Sequence, residues 1–502
     1  MRQPTARLQW SSINIQSTGL AEQASYLQGI NCMLTALQRM IKAWLILAFT
    51  ALPLVSPAES FVGVEKNVLA LATAAISLRS VQGPDNQTKA VAALFREALL
   101  DGGWSQDEVE IVPIDDTAYF IARWPGTDPR LGPIVISAHM DVVEAKRKDW
   151  DRDPFQPVVE KGYLYGRGAS DTKFDAAQAL IALIELRRQG FTPKRTIIVA
   201  FSGDEETTMH SSKLIADRLS HASLVLNVDG AAGVLDEVTG QPSYWSWQGA
   251  EKTYADFELV ITNPGGHSSA PRVDNAIAQM SGVLSRIASY PFKAELNDIT
   301  RDYLTQSARL EPDLQKAAVM RAFVKDPSDA EAIAALRADP ALVGVIGTTC
   351  VPTLIDGGHA RNALPQRVTA IVNCRIFPGH EKDAIAAELR KVAAESKLEL
   401  TEINPEYVIA APASPFDLKF VQAVTKAISL AFGEMPIFAS QASGATDSMW
   451  YRALGIPSYG ASGTFMKPSD DYSHGLNERV PTGYIQASVE YYMTLLRGLA
   501  SD

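Results

Sequence analysis

The sequence of 502 residues has few cysteines, few histidines and no surplus of positive charge. Its three cysteines, Cys32, Cys350 and Cys374, form no CxxC motif and no close pair, which excludes a framework of several disulfides. At most one bridge can form, and buried free thiols are the simpler interpretation. The formal net charge of −11 argues against a general nucleic-acid-binding protein, because such a protein needs a basic face.

Several catalytic motifs are also absent. No GxSxG sequence is present, which argues against the Ser-His-Asp triad of an α/β-hydrolase. No P-loop and no GxGxxG after a first strand occur, and Gly166-Arg167-Gly168 is too short a match to indicate nucleotide binding. Chemistry based on a serine nucleophile or a bound nucleotide is therefore disfavoured.

The apolar segment 43–55 is shorter than the roughly 20 residues that a membrane span needs. A lysine precedes it and small residues follow it up to Ala58, a pattern typical of a signal peptide cleaved after Ala58. We therefore predict an exported protein, periplasmic or secreted, with an uncleaved membrane anchor as the alternative. Residues 1–39 either lie upstream of a true start at Met40 or form an extension.

The rest of the chain alternates between helical and extended patterns. Its 46% hydrophobic and 21% charged residues are typical of a globular protein. Residues 134–138, 195–201 and 224–228 are short apolar runs that predict buried strands, and 174–188 predicts a helix. Strands separated by helices indicate an α/β fold, a mostly parallel central sheet with helices on both faces.

The pattern changes after Gly249. Residues 254–261 alternate between polar and apolar, as a half-exposed strand does, and 292–345 are polar and alanine-rich, which predicts helices. We predict a smaller α/β lid domain inserted into the catalytic domain. The predicted parts are an N-terminal extension with signal peptide at 1–58, the catalytic domain at 59–250 and 405–502, and the lid at 251–404.

Acidic side chains and a histidine follow the predicted strands of the central sheet. His139 and Asp141 follow one strand, Glu205 and Glu206 the next, and Asp229 a third, whereas Asp171 directly precedes the helix 174–188. Because the carboxyl ends of parallel strands meet at one edge of a sheet, we expect these side chains to converge. Like charges crowded in this way repel unless a cation lies among them.

A histidine and several carboxylates suit a divalent metal ion. Zinc fits this set of donors, with manganese or cobalt as substitutes. The surplus of carboxylates over the needs of one ion suggests two ions that share a carboxylate. A nearby carboxylate that does not ligate metal can then accept a proton from the attacking water.

The order of these motifs resembles a known metallopeptidase family. His-x-Asp after a strand, Gly-Arg-Gly-x-x-Asp-x-Lys, Asp-Glu-Glu after a strand, Asn-Val-Asp-Gly, and His-Gly-x-Asn-Glu at 474–478 occur in the order and spacing of that family. It contains aminoacylase, bacterial glutamate carboxypeptidase, succinyl-diaminopimelate desuccinylase and Xaa-His dipeptidases. The resemblance covers about residues 60–502 and implies a fold with an inserted lid and two zinc ions per chain.

The resemblance also implies residue roles. Asp171 bridges the two ions, Glu205 is the general base, and Asp141 orients His139. His139 and Asp229 complete the ligand set of one ion, and Glu206 and His474 complete that of the other. In the lid, His267 resembles the residue that stabilises the oxyanion. Asn362, Arg375, Gly444 and Thr446 resemble residues that contact the substrate's carbonyl or its carboxylate.

These features predict a metal-dependent hydrolase of short peptides with a free C-terminal carboxylate, a carboxypeptidase or dipeptidase. The resemblance implies that Asp229 favours peptides, because the acylases and carboxypeptidases of the family often carry glutamate there and its dipeptidases and aminopeptidases carry aspartate. Arg375 favours a terminal carboxylate. An N-acyl amino acid amidohydrolase is the alternative, and a non-catalytic binding domain of the same fold is a remote one. A homodimer through the lid is left open, because the stretch 292–345 exceeds the family's smaller lids.

Overall fold

A computed structural model describes residues 63–403 and 409–501. The predicted signal segment and the rest of residues 1–62 therefore lie outside the described residues. Residues Gly63–Asp502 cluster as one unit, so the predicted boundaries 59–250, 251–404 and 405–502 stay a prediction. No helix in the described part of the chain is both long enough and apolar enough to cross a membrane.

The described residues contain helices along the whole chain. They are α1 (Val64–Ile76), α2 (Thr88–Asp101), α3 (Lys173–Arg188), α4 (His210–Arg218), α5 (Ala276–Ala288), α6 (Asp298–Leu310), α7 (Leu314–Lys325), α8 (Ala330–Ala338), α9 (Lys382–Ala393), α10 (Leu418–Phe432), α11 (Ser448–Ala453) and α12 (Ile485–Ala500). Helix α3 is buried on nearly all sides, because its alanine, leucine and isoleucine residues pack against α1, α12 and the central sheet. It ends at two arginines, which interact favourably with the helix C-terminus.

The strands predicted at 134–138, 195–201, 224–228 and 254–261 are present, with shifts of up to two residues at their ends. The strands of the described residues are more numerous than these four. They are β1 (Val109–Ile114), β2 (Thr117–Trp124), β3 (Ile134–His139), β4 (Val158–Glu160), β5 (Tyr163–Tyr165), β6 (Ile197–Ser202), β7 (Leu224–Asn227), β8 (Gly233–Leu235), β9 (Pro242–Glu251), β10 (Thr253–Thr262), β11 (Gly266–His267), β12 (Thr349–Gly357), β13 (Ala363–Leu364), β14 (Arg367–Ile376), β15 (Glu399–Ile403), β16 (Ile437–Ala442), β17 (Ser458–Gly460), β18 (Phe465–Met466) and β19 (Arg479–Pro481).

The central sheet has ten strands, with nine in the order β1-β2-β6-β3-β7-β17-β9-β8-β18 and β16 paired to β9. Its middle strands β6, β3, β7 and β17 are parallel to one another, and every residue of β3 and β6 is buried. Antiparallel strands extend the sheet on both sides. The predicted α/β class with a mostly parallel central sheet is confirmed.

A separate antiparallel sheet in the order β12-β14-β10-β15 forms the core of the predicted lid. Helices α5 and α9 contribute buried side chains to the same apolar core as this sheet. Helices α6, α7 and α8 lie in the stretch 292–345 and share a second apolar core, which confirms the helical prediction for that stretch.

The interpretation of Cys350 and Cys374 as free thiols is wrong. The two residues form a disulfide, with their Cα atoms 4.1 Å apart. They lie opposite each other on the antiparallel strands β12 and β14. Sequence spacing does not reveal this pairing, because it depends on the register of two strands separated by a long loop.

Candidate metal centre

Three neighbouring strands end at the same edge of the central sheet and carry the predicted site residues. His139 is the last residue of β3, which lies between β6 and β7. Glu205 and Glu206 follow β6, and Asp229 follows β7. The parallel direction of the three strands therefore delivers these side chains to one place.

The turn after β6 is held by backbone contacts. Gly203 passes so close to β2 that an added Cβ would lie 2.1 Å from the carbonyl oxygen of Ala118, which excludes any side chain. Asp204 accepts hydrogen bonds from the backbone N–H groups of His210 and Ser211, both at 2.9 Å. Asp204 thus supports the loop and leaves the two glutamates that follow to face the site.

His139 lies at the centre of one group of donors and is 1% exposed. Its Nε2 is 2.8 Å from Oδ1 of Asp171 and 3.6 Å from Oδ1 of Asp229. On the other side of the ring, Nδ1–H donates to the backbone carbonyl of Asp141 at 3.0 Å. The ring is therefore held with Nε2 toward the two carboxylates, the orientation that a metal-binding histidine needs.

His474 lies in a second group of donors around the same aspartate. Its Nε2 is 3.1 Å from Oδ2 of Asp171 and 2.9 Å from Oε2 of Glu206. The two oxygens of Asp171 thus face two different histidines, His139 through Oδ1 and His474 through Oδ2. A carboxylate placed in this way can share its oxygens between two cations.

Among the residues that the structure describes, two sets of donor atoms are close enough to hold an ion. One set is His139, Asp171 and Glu206, and the other is His139, Glu205 and Asp229, with all donor atoms of each set within 4.8 Å of one another. Glu205, the predicted base, lies in the second set and is 8% exposed. The predicted ligands and base therefore share one site, and their individual roles stay a prediction.

The pKa values show a cluster whose negative charge the side chains do not balance. Burial raises the pKa of Asp229 to about 7 and that of Glu205 well above its ordinary range. Burial lowers the pKa of His139, but Asp229 and Asp171 outweigh it and leave that pKa well above normal. Hydrogen bonds to Asp171 and Glu206 raise the pKa of His474 to about 10. Such a cluster holds extra protons or accepts divalent cations in their place.

Asp141 lies beside His139, and its role in orienting that ring stays a prediction. Its carboxylate is 3.7 Å from Nδ1 of His139, and its backbone carbonyl accepts the hydrogen bond from Nδ1–H at 3.0 Å. The carboxylate accepts hydrogen bonds from the backbone N–H groups of Glu205 at 3.1 Å and Glu206 at 3.0 Å. Asp141 therefore positions the two glutamates.

Glu478 is a site residue to which the sequence pattern assigned no role. It is fully buried and accepts hydrogen bonds from the backbone N–H groups of Gly168, Ser170 and Asp171. Its other oxygen pairs with Arg167 at 2.5 Å. The sequence feature that could have indicated a role for Glu478 is its position as the last residue of the motif 474–478.

The predicted lid residues are not part of the cluster. His267 and Asn362 are exposed neighbours on the β11–β13 ribbon, where Ser268 N–H donates to the carbonyl of Asn362 at 3.0 Å. Neither forms a hydrogen bond or ion pair with the cluster among residues 63–403 and 409–501. They stay predicted substrate contacts.

Arg375 and the loop of Gly444 and Thr446 lie together. Arg375 Nη1 donates to the carbonyl of Ser443 at 2.9 Å. The Thr446 hydroxyl donates to Glu251 at 2.9 Å and accepts from Asn227 at 3.1 Å, so its contacts are structural. The side of Gly444 where a Cβ would lie is open, which leaves room for a ligand against the backbone.

Residues 135–498 match the sequence model of peptidase family M20/M25/M40. The chain belongs to this family. The match spans β3 to α12 and so includes every predicted metal ligand. This M20 peptidase is a hydrolase of the metallopeptidase and amidohydrolase class, which confirms the family resemblance and the enzyme class expected from the motifs.

Curated relatives of the M20 peptidase are similar over most of their length. The N-fatty-acyl-amino acid synthase/hydrolase PM20D1 of Xenopus tropicalis is 26% identical over 385 residues, 75% of this chain and 74% of the relative. Aminoacylase-1 of Mus musculus is 28% identical over 410 residues, 80% of this chain and 87% of the relative.

A solved structure shares the fold. An M20 family metallo-carboxypeptidase from Sulfolobus solfataricus superposes with a TM-score of 0.64 at 19% identity, covering 86% of this chain and 98% of that one. The M20 peptidase thus has the α/β architecture of that enzyme.

Proposed function

We propose that the M20 peptidase hydrolyses the amide bond next to the C-terminal residue of short peptides, as a carboxypeptidase or dipeptidase. The observation that carries the proposal is Asp171, whose two oxygens face His139 and His474 while Glu205 lies in the same site. This arrangement suits hydrolysis by an activated water rather than by a protein nucleophile.

The donor set fits two divalent cations. One would be held by His139, Asp171 and Asp229, and the other by Asp171, Glu206 and His474. When bound, the ions polarise the scissile carbonyl and acidify a water molecule. Nitrogen and carboxylate oxygen donors favour zinc, with cobalt or manganese as substitutes. The raised pKa values of Asp229 and Glu205 support this assignment, since burial without a cation disfavours their ionised forms.

Glu205 serves as the proton carrier in this proposal. Its backbone is fixed by Asp141, which leaves its side chain in the site beside His139 and Asp229. Burial raises the pKa of Glu205, so its carboxylate can accept a proton from the attacking water and pass it to the leaving amine. Glu206, one residue on, faces His474 and serves as a ligand instead.

The lid supplies the contacts to the rest of the substrate. Arg375 lies beside the loop of Gly444 and Thr446, where a guanidinium can pair with the terminal carboxylate. His267 and Asn362 lie side by side on one ribbon and donate to the substrate's carbonyl oxygen as the bond breaks.

An N-acyl amino acid amidohydrolase is the second candidate. It is favoured by the similarity to aminoacylase-1 and to PM20D1, whose names describe N-acyl amino acid chemistry. Dipeptides, tripeptides and N-acyl amino acids assayed side by side, with and without chelator, separate the two. The proposal expects chelator-sensitive release of the C-terminal residue from peptides at the higher kcat/KM. A preference for N-acyl amino acids supports the second candidate, and chelator-resistant activity contradicts both.

Export across a membrane is also part of the proposal. The signal-like segment before Ala58 supports it, and so does the Cys350–Cys374 disulfide, since such bonds persist mainly in oxidising compartments. N-terminal sequencing of the mature protein from cell fractions tests it. A chain that retains its first residues in the cytosol contradicts it.

A homodimer through the lid is proposed as the oligomeric state. Strand β12 lies at the edge of the lid sheet and exposes Val351, Leu354 and Ile355 by 54%, 67% and 58%. An exposed apolar edge strand is a surface on which a second copy can pair. Light scattering after gel filtration measures the mass, and a monomer at all concentrations contradicts the proposal.

A further inference from the structure

A cavity of about 500 Å³ lies where the lid strands β10, β12 and β14 meet the loop after β16. We call it the hinge cavity. Its lining includes Lys252, Arg337, Gly344, Thr349, Arg375 and Ser443. Three of them are cations. Among the described residues that line the cavity, none is aspartate or glutamate. The hinge cavity is therefore positively charged and lacks a counter-ion in its own wall.

Lys252 is the buried cation of this cavity and is only 2% exposed. Its Nζ is 3.5 Å from the hydroxyl of Thr349, and a Cβ added at Gly344 would also lie 3.5 Å from it. Both contacts place the ammonium group at the cavity wall. Within residues 63–403 and 409–501 no carboxylate pairs with Lys252. Burial, and then repulsion from Arg375, lower its pKa to about 8, so it still carries its charge at neutral pH.

Arg375 connects the hinge cavity to the metal centre. It lines the cavity and donates to the carbonyl of Ser443, three residues before Thr446 in the same loop. Asn227 donates to the Thr446 hydroxyl at 3.1 Å and accepts from Asp229 N–H at 3.0 Å. A short chain of hydrogen bonds thus links this loop to a predicted metal ligand.

We infer that the hinge cavity receives the side chain of the substrate's C-terminal residue and that Lys252 selects an acidic one, aspartate or glutamate. The inference rests on the proposed function, in which Arg375 holds the terminal carboxylate. A second carboxylate supplies the counter-ion that Lys252 lacks, because a buried ammonium group is costly unless it is paired. A neutral side chain of the same size leaves it unpaired.

The test compares substrates that differ only in the C-terminal residue. Dipeptides ending in glutamate, glutamine, leucine or lysine share one N-terminal residue, and kcat/KM is measured for each. Because a charge-assisted hydrogen bond contributes about 1.5–3 kcal/mol, glutamate should exceed glutamine by about tenfold to a hundredfold. Lysine, with the opposite charge, should be the poorest. Equal kcat/KM for glutamate and glutamine overturns the inference.

The Lys252→Met variant tests whether Lys252 causes the preference for glutamate over glutamine. Lys252→Met keeps the length of the side chain and removes its charge, so the glutamate-to-glutamine ratio should fall to within about twofold while the glutamine substrate is nearly unaffected. Lys391→Met, on an exposed face of α9, removes the same charge elsewhere in the lid and should leave the ratio unchanged. A ratio that survives Lys252→Met overturns the assignment.

Binding of the free amino acid separates this inference from the proposed function. Calorimetry with the wild-type protein and zinc should show tighter binding of glutamate than of glutamine, even if no peptide in the panel is cleaved. That outcome keeps the cavity assignment while the proposed activity fails. Hydrolysis without any preference for glutamate keeps the activity and overturns the cavity assignment. The same wild-type measurement decides the matter if Lys252→Met does not fold.

Discussion

Glu478 accepts a hydrogen bond from the backbone N–H of Asp171 at 3.2 Å, although the two residues lie 307 positions apart. The same oxygen accepts from Ser170 N–H at 2.7 Å, and the other oxygen pairs with Arg167. Glu478 also lies four residues after His474. Glu478 therefore joins the loop of Asp171 to the loop of His474. It positions these two proposed ligands without being a ligand itself.

Glu478→Gln should weaken metal binding without removing a proposed ligand. The amide keeps the shape of the side chain but loses the charge opposite the buried Arg167 and one acceptor oxygen. Loss of such a supporting contact typically lowers metal affinity by about tenfold to a hundredfold. Titration of zinc into the metal-free protein measures the change. Glu434→Gln, an exposed position after α10, is the matched control, and equal affinity in both variants contradicts the positioning role.

Glu205 and Glu206 are adjacent, but substitution of the first should lower kcat and substitution of the second should lower metal content. Glu205→Gln should lower kcat by about a hundredfold to ten-thousandfold with metal content intact, because the amide cannot accept a proton. Glu206→Ala should reduce metal content, because it removes a carboxylate that lies 2.9 Å from His474. Each variant is the control for the other. Full activity of Glu205→Gln, or a full metal complement in Glu206→Ala, contradicts the corresponding role.

The convergence of His139, Glu205 and Asp229 could be predicted because it depends only on strand order and direction. Each lies at or just after the carboxyl end of a buried parallel strand, and parallel strands present their carboxyl ends on one edge. The alternation of strands with helices along the sequence indicates the parallel direction. The family resemblance supplied His474, whose approach depends on a loop that strand periodicity does not describe.

The contacts that were not predicted depend on loop conformation and on register. The carboxylate of Asp141 accepts from the backbone of Glu205 and Glu206 because of the path of the turn after β6, which no periodicity reveals. The Cys350–Cys374 bridge depends on the pairing of β12 with β14. Such non-local contacts follow from tertiary packing and leave no local pattern.

The Cys350–Cys374 bridge should stabilise the lid. The two residues are 24 positions apart, and a loop of that length loses chain entropy equivalent to about 3 kcal/mol when it is closed in the unfolded state. A variant with both cysteines replaced by serine should unfold at a lower temperature than the wild type. Reductant should lower the melting temperature of the wild type and leave the variant unchanged. A wild type insensitive to reductant contradicts the prediction.

Asp175 should make the stability of the protein depend on pH. It is buried in the first turn of α3, accepts hydrogen bonds from Ser462, Thr464 and Tyr492, and has its pKa raised by burial to about 6. The folded state therefore binds this proton more tightly than the unfolded state, whose aspartate titrates near 3.9. The contribution of Asp175 to stability is fully present below about pH 4 and falls as pH rises toward 6.

Asp175→Asn tests this dependence, because the amide cannot titrate. The free energy of unfolding of the variant minus that of the wild type should rise between pH 4 and pH 7, by up to about 3 kcal/mol for a shift of about two pKa units. Urea titrations of both proteins at matched pH values measure the difference. The variant and the wild type have all other titrating groups in common, so the contributions of those groups cancel in the difference between the two free energies of unfolding. A difference that stays constant from pH 4 to pH 7 contradicts the raised pKa of Asp175. A difference that falls with pH also contradicts it, because the hydrogen bonds to the carboxylate would then outweigh burial.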